Sequence, residues 1–504
     1  MSIYKESDIE LLQKNWPKII DDIEDFKNLN MEPTLKEQLE IVEIIKEYVI
    51  KNKRKIYGGY AQHLLIKDKN PDDQIYPDGK LADIDFYSPH PVEDIMNICN
   101  ILYEKKYKHI AAEEAQHTET FKLRVYRVVY CDISYVPKHI YQNIPFIEID
   151  KMIVCNPSWL LIDSFRMMND PIISYWRFDD NNMKKFRRIY KILKYYPFTY
   201  KSSELDPKKI YECFPIVKDR EDCLNVIYDF LKNRNTTILL GHYAYDFFVK
   251  ESEFEGLQLI KVPYFNFIST DYKKDFFALI SLLNEHIKKN DLMGELEYVE
   301  YYPFFQFTDY NVKIYYTLKG KQYLIARIYN NNKKCIPYQD ITPYNFHQDK
   351  IVKDKKDFIR LCTFPYLLMQ TLIDMMELRK DGEKVYQNSL YVVIANLLTI
   401  RKFYFEKNKI NIVDKSIFQE FITTCIGVTM DPEKILMIVR KERKEKGLPL
   451  VWRYTPEDGV REPVRGRFYN TSGNMIREDK NKKLLKKDIN DEEEIGSMDE
   501  DDSP

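Results

Sequence analysis

The hydrophobic pattern divides the chain into helical and mixed segments. Residues 7 to 55 carry apolar side chains at helical spacing, and Thr34 stands where an N-cap is expected before TLKEQLEIVEIIKEYVIKN. The predicted buried face of this helix comprises Leu39, Val42, Ile45 and Val49. Up to about residue 150 the pattern is mixed, and the alternation in FKLRVYRVVYCDISYVP predicts a strand or a hairpin. SWLLIDSFRMMND and the basic stretch NNMKKFRRIYKILKYY return to helical spacing.

The same order of segments occurs twice, which predicts a tandem duplication of one α/β unit. KIYGGYAQHLL has a counterpart in ILLGHYAYDFF, and PSWLLIDSFRMM has one in PYLLMQTLIDMM. Between them, DIDFYSPHPVEDIMNICNIL corresponds to YFNFISTDYKKDFFALISLL. This alignment replaces Asp83 by Tyr264 and Asp85 by Asn266, and it replaces a later acid within YLIARIYNN. The second copy is therefore expected to keep the fold and to lose the acids.

Asp83 and Asp85 are the first candidates for chemistry. In a strand, residues i and i+2 point to the same face, so both carboxylates project together while Ile84 packs behind them. Two such carboxylates repel each other unless cations lie between them, and a pair of divalent ions with substrate phosphates would relieve the repulsion. Asp132 follows an apolar run at a predicted strand end, where it can supply a third carboxylate.

Gly58 and Gly59 precede a predicted helix, and they suit the same kind of substrate. Backbone N–H groups at a helix N-terminus bind phosphate, and the absent side chains leave room for it. A single acid pair is usually an exposed strand edge, and a single glycine pair is usually a turn. Glycines, an acid pair and a third acid in this order point instead to two-metal phosphoryl transfer.

Composition excludes several classes of protein. A length of 504 residues predicts several domains, and a net charge of -2 argues against a uniformly basic nucleic-acid coat protein. The eight cysteines show no zinc-ligand spacing, so reduced thiols in an intracellular protein are expected. No apolar run is long enough to predict a membrane span, and no P-loop motif supports an ATPase.

The glycine and acid motifs resemble those of the nucleotidyltransferase superfamily built on the polymerase-β palm. The matching positions are Tyr57-Gly58-Gly59, Asp83-Ile84-Asp85 and Asp132. The stretches ADIDFYS and LLIDSFRMMNDP further resemble the catalytic subunit of poxvirus-type poly(A) polymerases of large nucleocytoplasmic DNA viruses, giant viruses included. The superfamily often has serine after the first glycine, whereas this chain has Gly59, which leaves backbone N–H groups as the phosphate contacts there.

The resemblance implies an α+β fold in which a polymerase-β-like nucleotidyltransferase domain precedes a degenerate second nucleotidyltransferase-like domain, with flanking helices. The expected organisation is a helical region (1–54), a catalytic domain with its helical extension (55–200), a degenerate domain (201–410), a basic and aromatic region (411–470) and a disordered charged tail (471–504).

The resemblance also implies a template-independent poly(A) polymerase, which adds AMP from ATP to the 3′ end of mRNA with two Mg²⁺ or Mn²⁺ ions. Asp83 and Asp85 would bind both ions, and Asp132 would bind the ion that activates the RNA 3′-hydroxyl. Two alternatives remain open at this point. One is a different terminal nucleotidyltransferase that adds U or CCA, and the other is a catalytically silent RNA-binding scaffold.

Other contacts are less sharply marked in the sequence. Helices after the third acid often reach the triphosphate in this superfamily, so the resemblance implies such a contact through Lys184 and Lys185 of the basic helix, which also carries Arg187 and Arg188. The alternative is a basic helix face that is only solvated. Single-stranded RNA would stack on aromatic residues, for which the candidates are Trp176-Arg177, Trp452-Arg453-Tyr454 and residues 465–469. A homodimer or a viral processivity partner would hold the product, with no membrane involved. The expected location is the host cytoplasm, with packaging in the virion as an alternative.

Overall fold

A computed structural model of the chain shows two mixed β-sheets in succession, each flanked by helices. It describes residues 3–77, 81–115, 119–126, 128–170, 183–199, 213–215, 217–257, 259–331, 334–344, 357–377, 384–430, 432–447 and 451–460. This α+β architecture, with one sheet built mainly from each half of the chain, agrees with the fold class expected from the sequence.

The described helices and strands follow a similar order in the two halves. The described helices are α1 (Glu6–Asn30), α2 (Leu35–Lys51), α3 (Gly58–Lys69), α4 (Pro91–Glu104), α5 (Lys138–Asn143), α6 (Pro157–Met168), α7 (Lys184–Tyr195), α8 (Lys218–Leu231), α9 (Gly241–Ser252), α10 (Tyr272–Lys289), α11 (Phe364–Met376), α12 (Lys384–Asn408) and α13 (Pro432–Glu445). The described strands are β1 (Lys55–Ile56), β2 (Phe86–Ser88), β3 (Ile110–Glu114), β4 (Thr120–Val125), β5 (Val128–Tyr135), β6 (Phe146–Ile149), β7 (Met152–Cys155), β8 (Thr237–Leu240), β9 (Phe265–Ser269), β10 (Glu295–Tyr301), β11 (Asn311–Leu318), β12 (Lys321–Asn330), β13 (Ile336–Ile341), β14 (Ile359–Cys362), β15 (Cys425–Ile426), β16 (Arg453–Thr455) and β17 (Gly459–Val460).

Strand order confirms the tandem duplication. The first sheet contains the order β3-β4-β5-β2-β1-β7-β6, and the second contains the same order as β10-β11-β12-β9-β8-β14-β13. Orientations match as well, because β2 is parallel to β5 and antiparallel to β1, just as β9 is parallel to β12 and antiparallel to β8. Each half is thus one copy of the same sheet.

Helix α2 packs against the first sheet much as its spacing predicts. Thr34 is the N-cap, and its hydroxyl accepts a hydrogen bond from the backbone N–H of Glu37. Leu39 was expected in the buried face but is 42% exposed, because Gln38 is buried instead and its amide donates to the carbonyl of Pro33 at 2.7 Å. The remaining predicted residues of that face are buried, namely Val42, Ile45 and Val49.

Helix α1 contributes no buried residue to the core. Its apolar side chains, such as Trp16 and Phe26, are exposed. Among the described helices, none is long and apolar enough to cross a membrane.

The C-terminal strands complete the first sheet rather than the second. Strand β16 pairs antiparallel with β3, and Trp452 just before it packs edge-on against Phe121 at a ring distance of 5.2 Å. Trp452 and Tyr454 are both buried. The prediction that they stack on RNA bases is therefore wrong, because these rings form part of the hydrophobic core. The other predicted stacking residues, Trp176-Arg177 and 465–469, lie outside the described residues.

One pair of cysteines is oxidised, which the sequence does not predict. Cys335 and Cys425 form a disulfide, with Cα atoms 5.3 Å apart, whereas the sequence predicts only reduced thiols. Pairing of β13 with β15, which places Pro337 opposite Cys425, brings two cysteines 90 residues apart into contact. Sequence spacing gives no sign of this proximity.

Candidate active site

The site begins at the N-terminus of α3, where Gly58 has a φ of +71°. Backbone in this left-handed region is strained for residues with a side chain. A Cβ at Gly58 would also lie 2.6 Å from Oδ2 of Asp85, so the missing side chain allows that carboxylate to approach the helix end. Glycine at position 58 therefore allows both the left-handed backbone turn and the close approach of the Asp85 carboxylate.

The acid pair lies in an extended segment between β1 and β5. The N–H of Ile84 donates to the carbonyl of Tyr130 at 3.0 Å, and the N–H of Tyr57 donates to the carbonyl of Asp85 at 2.9 Å. Ile84 is fully buried, whereas Asp83 is exposed and Asp85 is half-buried. The predicted alternation is confirmed, although β2 itself starts only at the next residue.

Asp132 lies within β5, and its backbone N–H donates to Oδ1 of Asp85 at 3.2 Å. The sequence placed this residue at a strand end, but the structure places it inside the strand that runs parallel to β2. One carboxylate oxygen of Asp132, Oδ1, is buried without a hydrogen-bond partner. The other lies 3.7 Å from the ammonium of Lys122 on β4.

Two of the three carboxylates, those of Asp85 and Asp132, lie in surroundings that raise their pKa values. Burial raises the pKa of Asp85 well above its usual range, and the negative charges of Asp132 and Asp83 raise it further. Burial also raises the pKa of Asp132, which Lys122 partly opposes. The acids are thus held close together at a cost that a bound cation would remove.

The donor set fits divalent metal ions that are bound partly by substrate. Among the described residues, no group of three or more histidine, cysteine or carboxylate side chains is close enough to hold a metal ion alone. Magnesium commonly binds through one or two carboxylates, with water and substrate phosphates as its other ligands. The buried Oδ1 of Asp132, which no protein group satisfies, and the mutually repelling carboxylates fit that arrangement.

Helix α7 brings Arg188 to the same helix end. A Cβ at Gly59 would lie 2.6 Å from the hydroxyl of Tyr76 and 2.9 Å from Nη1 of Arg188. Arg188 is 7% exposed, and its Nη2 donates to the Tyr76 hydroxyl at 2.8 Å. Lys184, one turn earlier on α7, is exposed, and its ammonium lies 5.9 Å from the centre of the Tyr76 ring. Lys185 is half-buried on the adjoining face.

The sequence placed Arg188 on the helix expected to reach the triphosphate, but it named Lys184 and Lys185 as the contacts. Arg188 stands four positions after Lys184, so both share a helix face, and this spacing was the available signal. Other basic residues of α7 have a structural contact instead. Lys191 and Lys194 both donate to Asp73, which ties α7 to the segment before Tyr76.

The second half keeps the backbone arrangement of this site but has other side chains in place of its acids. Gly241 has a φ of +67°, and a Cβ there would lie 2.7 Å from the side-chain amide of Asn266. Arg327 stands opposite Asn266 in the strand pairing, where the first half has Asp132 beside Asp85. Its buried guanidinium is bound by Glu377 and lies 3.6 Å from Asp374. The loss of acids expected from the alignment is confirmed, and a cation occupies the third position.

We predict that Asp85→Asn raises the melting temperature of the metal-free protein at neutral pH. The folded-state pKa of Asp85 is raised, so its ionisation lowers stability progressively as pH rises through that value. Asparagine removes the charge and retains an oxygen for the Asp132 N–H. We expect a gain of a few degrees in EDTA, on a scale of about 2–4 °C per kcal/mol.

Magnesium provides the control in the same melting experiment. It should stabilise the unmodified protein more than Asp85→Asn, and the exposed Asp68→Asn should behave like the unmodified protein. A lower melting temperature for Asp85→Asn in EDTA, with an unchanged response to magnesium, would contradict a cation site at these carboxylates.

Comparisons with known proteins find matches to both halves of the chain. Residues 43–174 match the family model described as poly(A) polymerase catalytic subunit. Residues 190–487 match the model described as the C-terminal part of the putative poly(A) polymerase catalytic subunit of APMV. The two matched regions together cover both sheets.

Individual relatives extend over most of the chain. A putative poly(A) polymerase catalytic subunit of Acanthamoeba polyphaga mimivirus is 30% identical over 505 residues, which cover 94% of this chain and 83% of that protein. The protein of the same description from African swine fever virus (isolate Tick/Malawi/Lil 20-1/1983) is 34% identical over 118 residues, which cover 23% of this chain and 24% of that one. The crystal structure of the Megavirus polyadenylate synthase is similar at a TM-score of 0.77 and 30% identity, covering 95% of this chain and 94% of that one.

Proposed function

Because the chain belongs to the poly(A) polymerase catalytic subunit family, we propose that it adds AMP from ATP to the 3′ end of mRNA without a template, by a two-metal mechanism. The enzyme class, a polynucleotide adenylyltransferase, follows from the family. The observation that carries the proposed mechanism is the convergence of Asp83, Asp85 and Asp132 beside the glycine-rich N-terminus of α3.

We assign each carboxylate a role. Asp83 and Asp85 would hold both metal ions, and Asp132 would hold the ion nearer the RNA 3′-hydroxyl. The ions, Mg²⁺ or Mn²⁺, would supply Lewis-acid activation of that hydroxyl and neutralise charge on the phosphates. Gly58 and Gly59 would present backbone N–H groups to the triphosphate at the positive end of α3. Lys184 and Lys185 would contribute positive charge from α7.

The proposed reaction is a single displacement at the α-phosphorus of ATP. The RNA 3′-oxygen forms the new bond to phosphorus, and the bond from the α-phosphorus to the bridging oxygen breaks, which releases pyrophosphate. The hydroxyl proton leaves to solvent at the position bordered by Asp132. No covalent enzyme intermediate is needed, which agrees with a site built from carboxylates and glycines.

The RNA end would approach from the side of β4. Lys122 projects beside Asp132 and is about one-third exposed, so it can meet the terminal phosphodiester while that carboxylate faces the 3′-hydroxyl. The proposed contact positions the primer only. Phosphate contacts of this kind hold RNA in place without reading its sequence.

Product retention requires further contacts, which we propose come from a second protomer or a viral processivity partner. The exposed apolar side chains of α1, which have no place in the described core, support an additional contact surface. We propose the host cytoplasm as the site of action, with packaging in the virion as the alternative.

Primer extension tests the nucleotide and the acceptor together. A labelled short RNA, each NTP separately, and Mg²⁺ or Mn²⁺ should yield a long ladder with ATP and little product with the other three. An oligodeoxynucleotide of the same sequence serves as the acceptor control. Preferred incorporation of UTP or CTP would replace adenylation by another terminal transfer, and RNA binding without extension by any NTP would favour the scaffold alternative.

A further inference from the structure

We propose that Arg188 binds the β- and γ-phosphates of the incoming nucleotide, and that Gly59 is required because the guanidinium occupies the space of a side chain there. This inference rests on the proposed function and names the residue that performs one part of it. The superfamily pattern often has a serine hydroxyl at this phosphate contact. Here the contact would come from another helix, α7, by way of a residue 129 positions later in the chain.

The first observation is that Arg188 is a buried cation that lacks a counter-ion among the described residues. Its side chain is 7% exposed, and no carboxylate of the described residues forms an ion pair with it. Its Nε is buried without a hydrogen-bond partner, and the contact made by Nη2 is to the neutral phenol of Tyr76. A buried guanidinium is costly unless a negative charge accompanies it, so this environment calls for an anionic ligand.

The second observation is where the guanidinium lies. Nη1 and Nη2 of Arg188 come within 2.9 and 3.0 Å of the Cβ that Gly59 lacks. Gly59 is in the first turn of α3, a helix of 12 residues whose first N–H groups have no intrahelical acceptor. An anion at this position would therefore meet the helix N-terminus and the buried guanidinium together.

The two glycines separate opposite charges. The space at Gly58 is taken by a carboxylate oxygen of Asp85, and the space at Gly59 is taken by Arg188 and Tyr76. A triphosphate along α3 would then run from the acids and their metal ions, at the reacting α-phosphate, toward Arg188 at its other end. A planar guanidinium can bind two phosphate oxygens at once, which suits Arg188 better than the exposed Lys184 for this role.

Tyr76 marks the position of the phosphate oxygens. Its hydroxyl would lie 2.6 Å from a Cβ at Gly59 and accepts from Arg188. Its backbone N–H donates to Nδ1 of His63 at 3.2 Å, and nearby Asp73 is bound by Lys191, so the segment is anchored from both sides. A phosphate oxygen is a stronger acceptor for a guanidinium than a phenol, so the nucleotide would displace this contact.

The degenerate half supports the pairing of a glycine with an arginine. His242 stands where the first half has Gly59, and it is buried with its ring 5.9 Å from that of Tyr264 and 6.0 Å from that of Tyr386. An imidazole and two phenols thus fill the corresponding space. The half that has lost the acids has also lost the room for a guanidinium at the helix end.

Titration of nucleotide binding without RNA tests the proposal. Arg188→Gln should weaken ATP and inorganic tripolyphosphate about 100-fold, and leave AMP within a few-fold, because only the β- and γ-phosphates lose a contact. Arg187→Gln, which removes the same charge from an exposed neighbour, should change neither. Arg188→Lys should restore part of the affinity. The melting temperature of Arg188→Gln should stay the same or rise, since a costly buried charge is removed.

A double substitution makes the test independent of folding. Gly59→Ser should impair ATP binding because the new side chain collides with Arg188, and adding Arg188→Gln should remove the collision, so the two effects will not add. Equal losses for ATP and AMP, a lowered melting temperature for Arg188→Gln, or additive effects would overturn the proposal. ATP and UTP share the triphosphate, so a protein that proves to use another base would still show the Arg188 effect, and the two proposals can fail separately.

Discussion

Replacing Asp83, Asp85 or Asp132 by asparagine should each reduce RNA adenylation by at least about 10³-fold, the scale of losing a main electrostatic contact to a transition state. Each substitution removes a negative charge from a site whose proposed task is to hold cations against a triphosphate. Asparagine is close in shape to aspartate, and it can still accept the hydrogen bond that Asp85 takes from the Asp132 N–H. Single-turnover extension of a labelled RNA with ATP measures the loss.

The second half supplies the matched comparison. Asp68→Asn on the exposed end of α3 should leave adenylation unchanged. Restoring acids to the degenerate half, with Tyr264→Asp and Asn266→Asp, should not rescue an Asp85→Asn chain, because Arg327 still stands where a third acid is needed. Adenylation above about a tenth of normal in Asp85→Asn would remove that residue from the proposed mechanism, since such a loss is only about 1.4 kcal/mol.

Replacing Arg327 by methionine should destabilise the protein by about 3–5 kcal/mol, the usual cost of removing one partner from a buried ion pair. Arg327 is 4% exposed, and its guanidinium meets Glu377 and Asn311 through charge-assisted hydrogen bonds. Without it, the carboxylates of Glu377 and Asp374 lose the cation that neutralises them. Thermal melting should show a decrease of about 10 °C.

An exposed ion pair gives the control for this loss. Lys274→Met breaks a contact to Asp271 in which both side chains are solvated, so the expected cost is at most about 1 kcal/mol. The decrease for Arg327→Met should also shrink at low pH, where protonation removes the carboxylate charges. A melting curve equal to that of Lys274→Met would show that the stability of the second half does not depend on the buried Arg327 ion pair.

Local sequence patterns predict much of the fold, because helices and strands depend largely on residues that are neighbours in the chain. The hairpin of β4 and β5, helix α6 and helix α7 all appear where spacing predicts them. The duplication was visible because both copies keep the same order of segments. The acids were found because i and i+2 positions in extended backbone share a face regardless of where the strand formally begins.

Contacts between distant segments could not be predicted in this way. Gly59 and Arg188 meet because α7 packs over the end of α3, and one sequence gives no measure of that proximity. The same holds for the disulfide between Cys335 and Cys425, and for Trp452, whose aromatic ring and basic neighbours look the same in sequence whether they face RNA or a core. Leu39 was misplaced because a hydrogen-bonded glutamine took the inner position of its helix turn.

The pairing of β16 with β3 has a consequence for how the protein is made. Strand β3 ends at residue 114 and β16 begins at residue 453, so the sheet that holds the acids gains β16 and β17 only after the strands of the second sheet have been synthesised. Until then the edge of β3 is open, and an open edge is a template for wrong pairing between chains. The equivalent edge strand of the second sheet, β10, is not paired with a further strand within the described residues. It carries charged glutamates at positions 295, 297 and 300, which suit a strand edge that faces water. Completion of the acid-bearing sheet is thereby coupled to synthesis of the second half, so a ribosome that stops before residue 453 releases a chain whose first sheet is still unfinished.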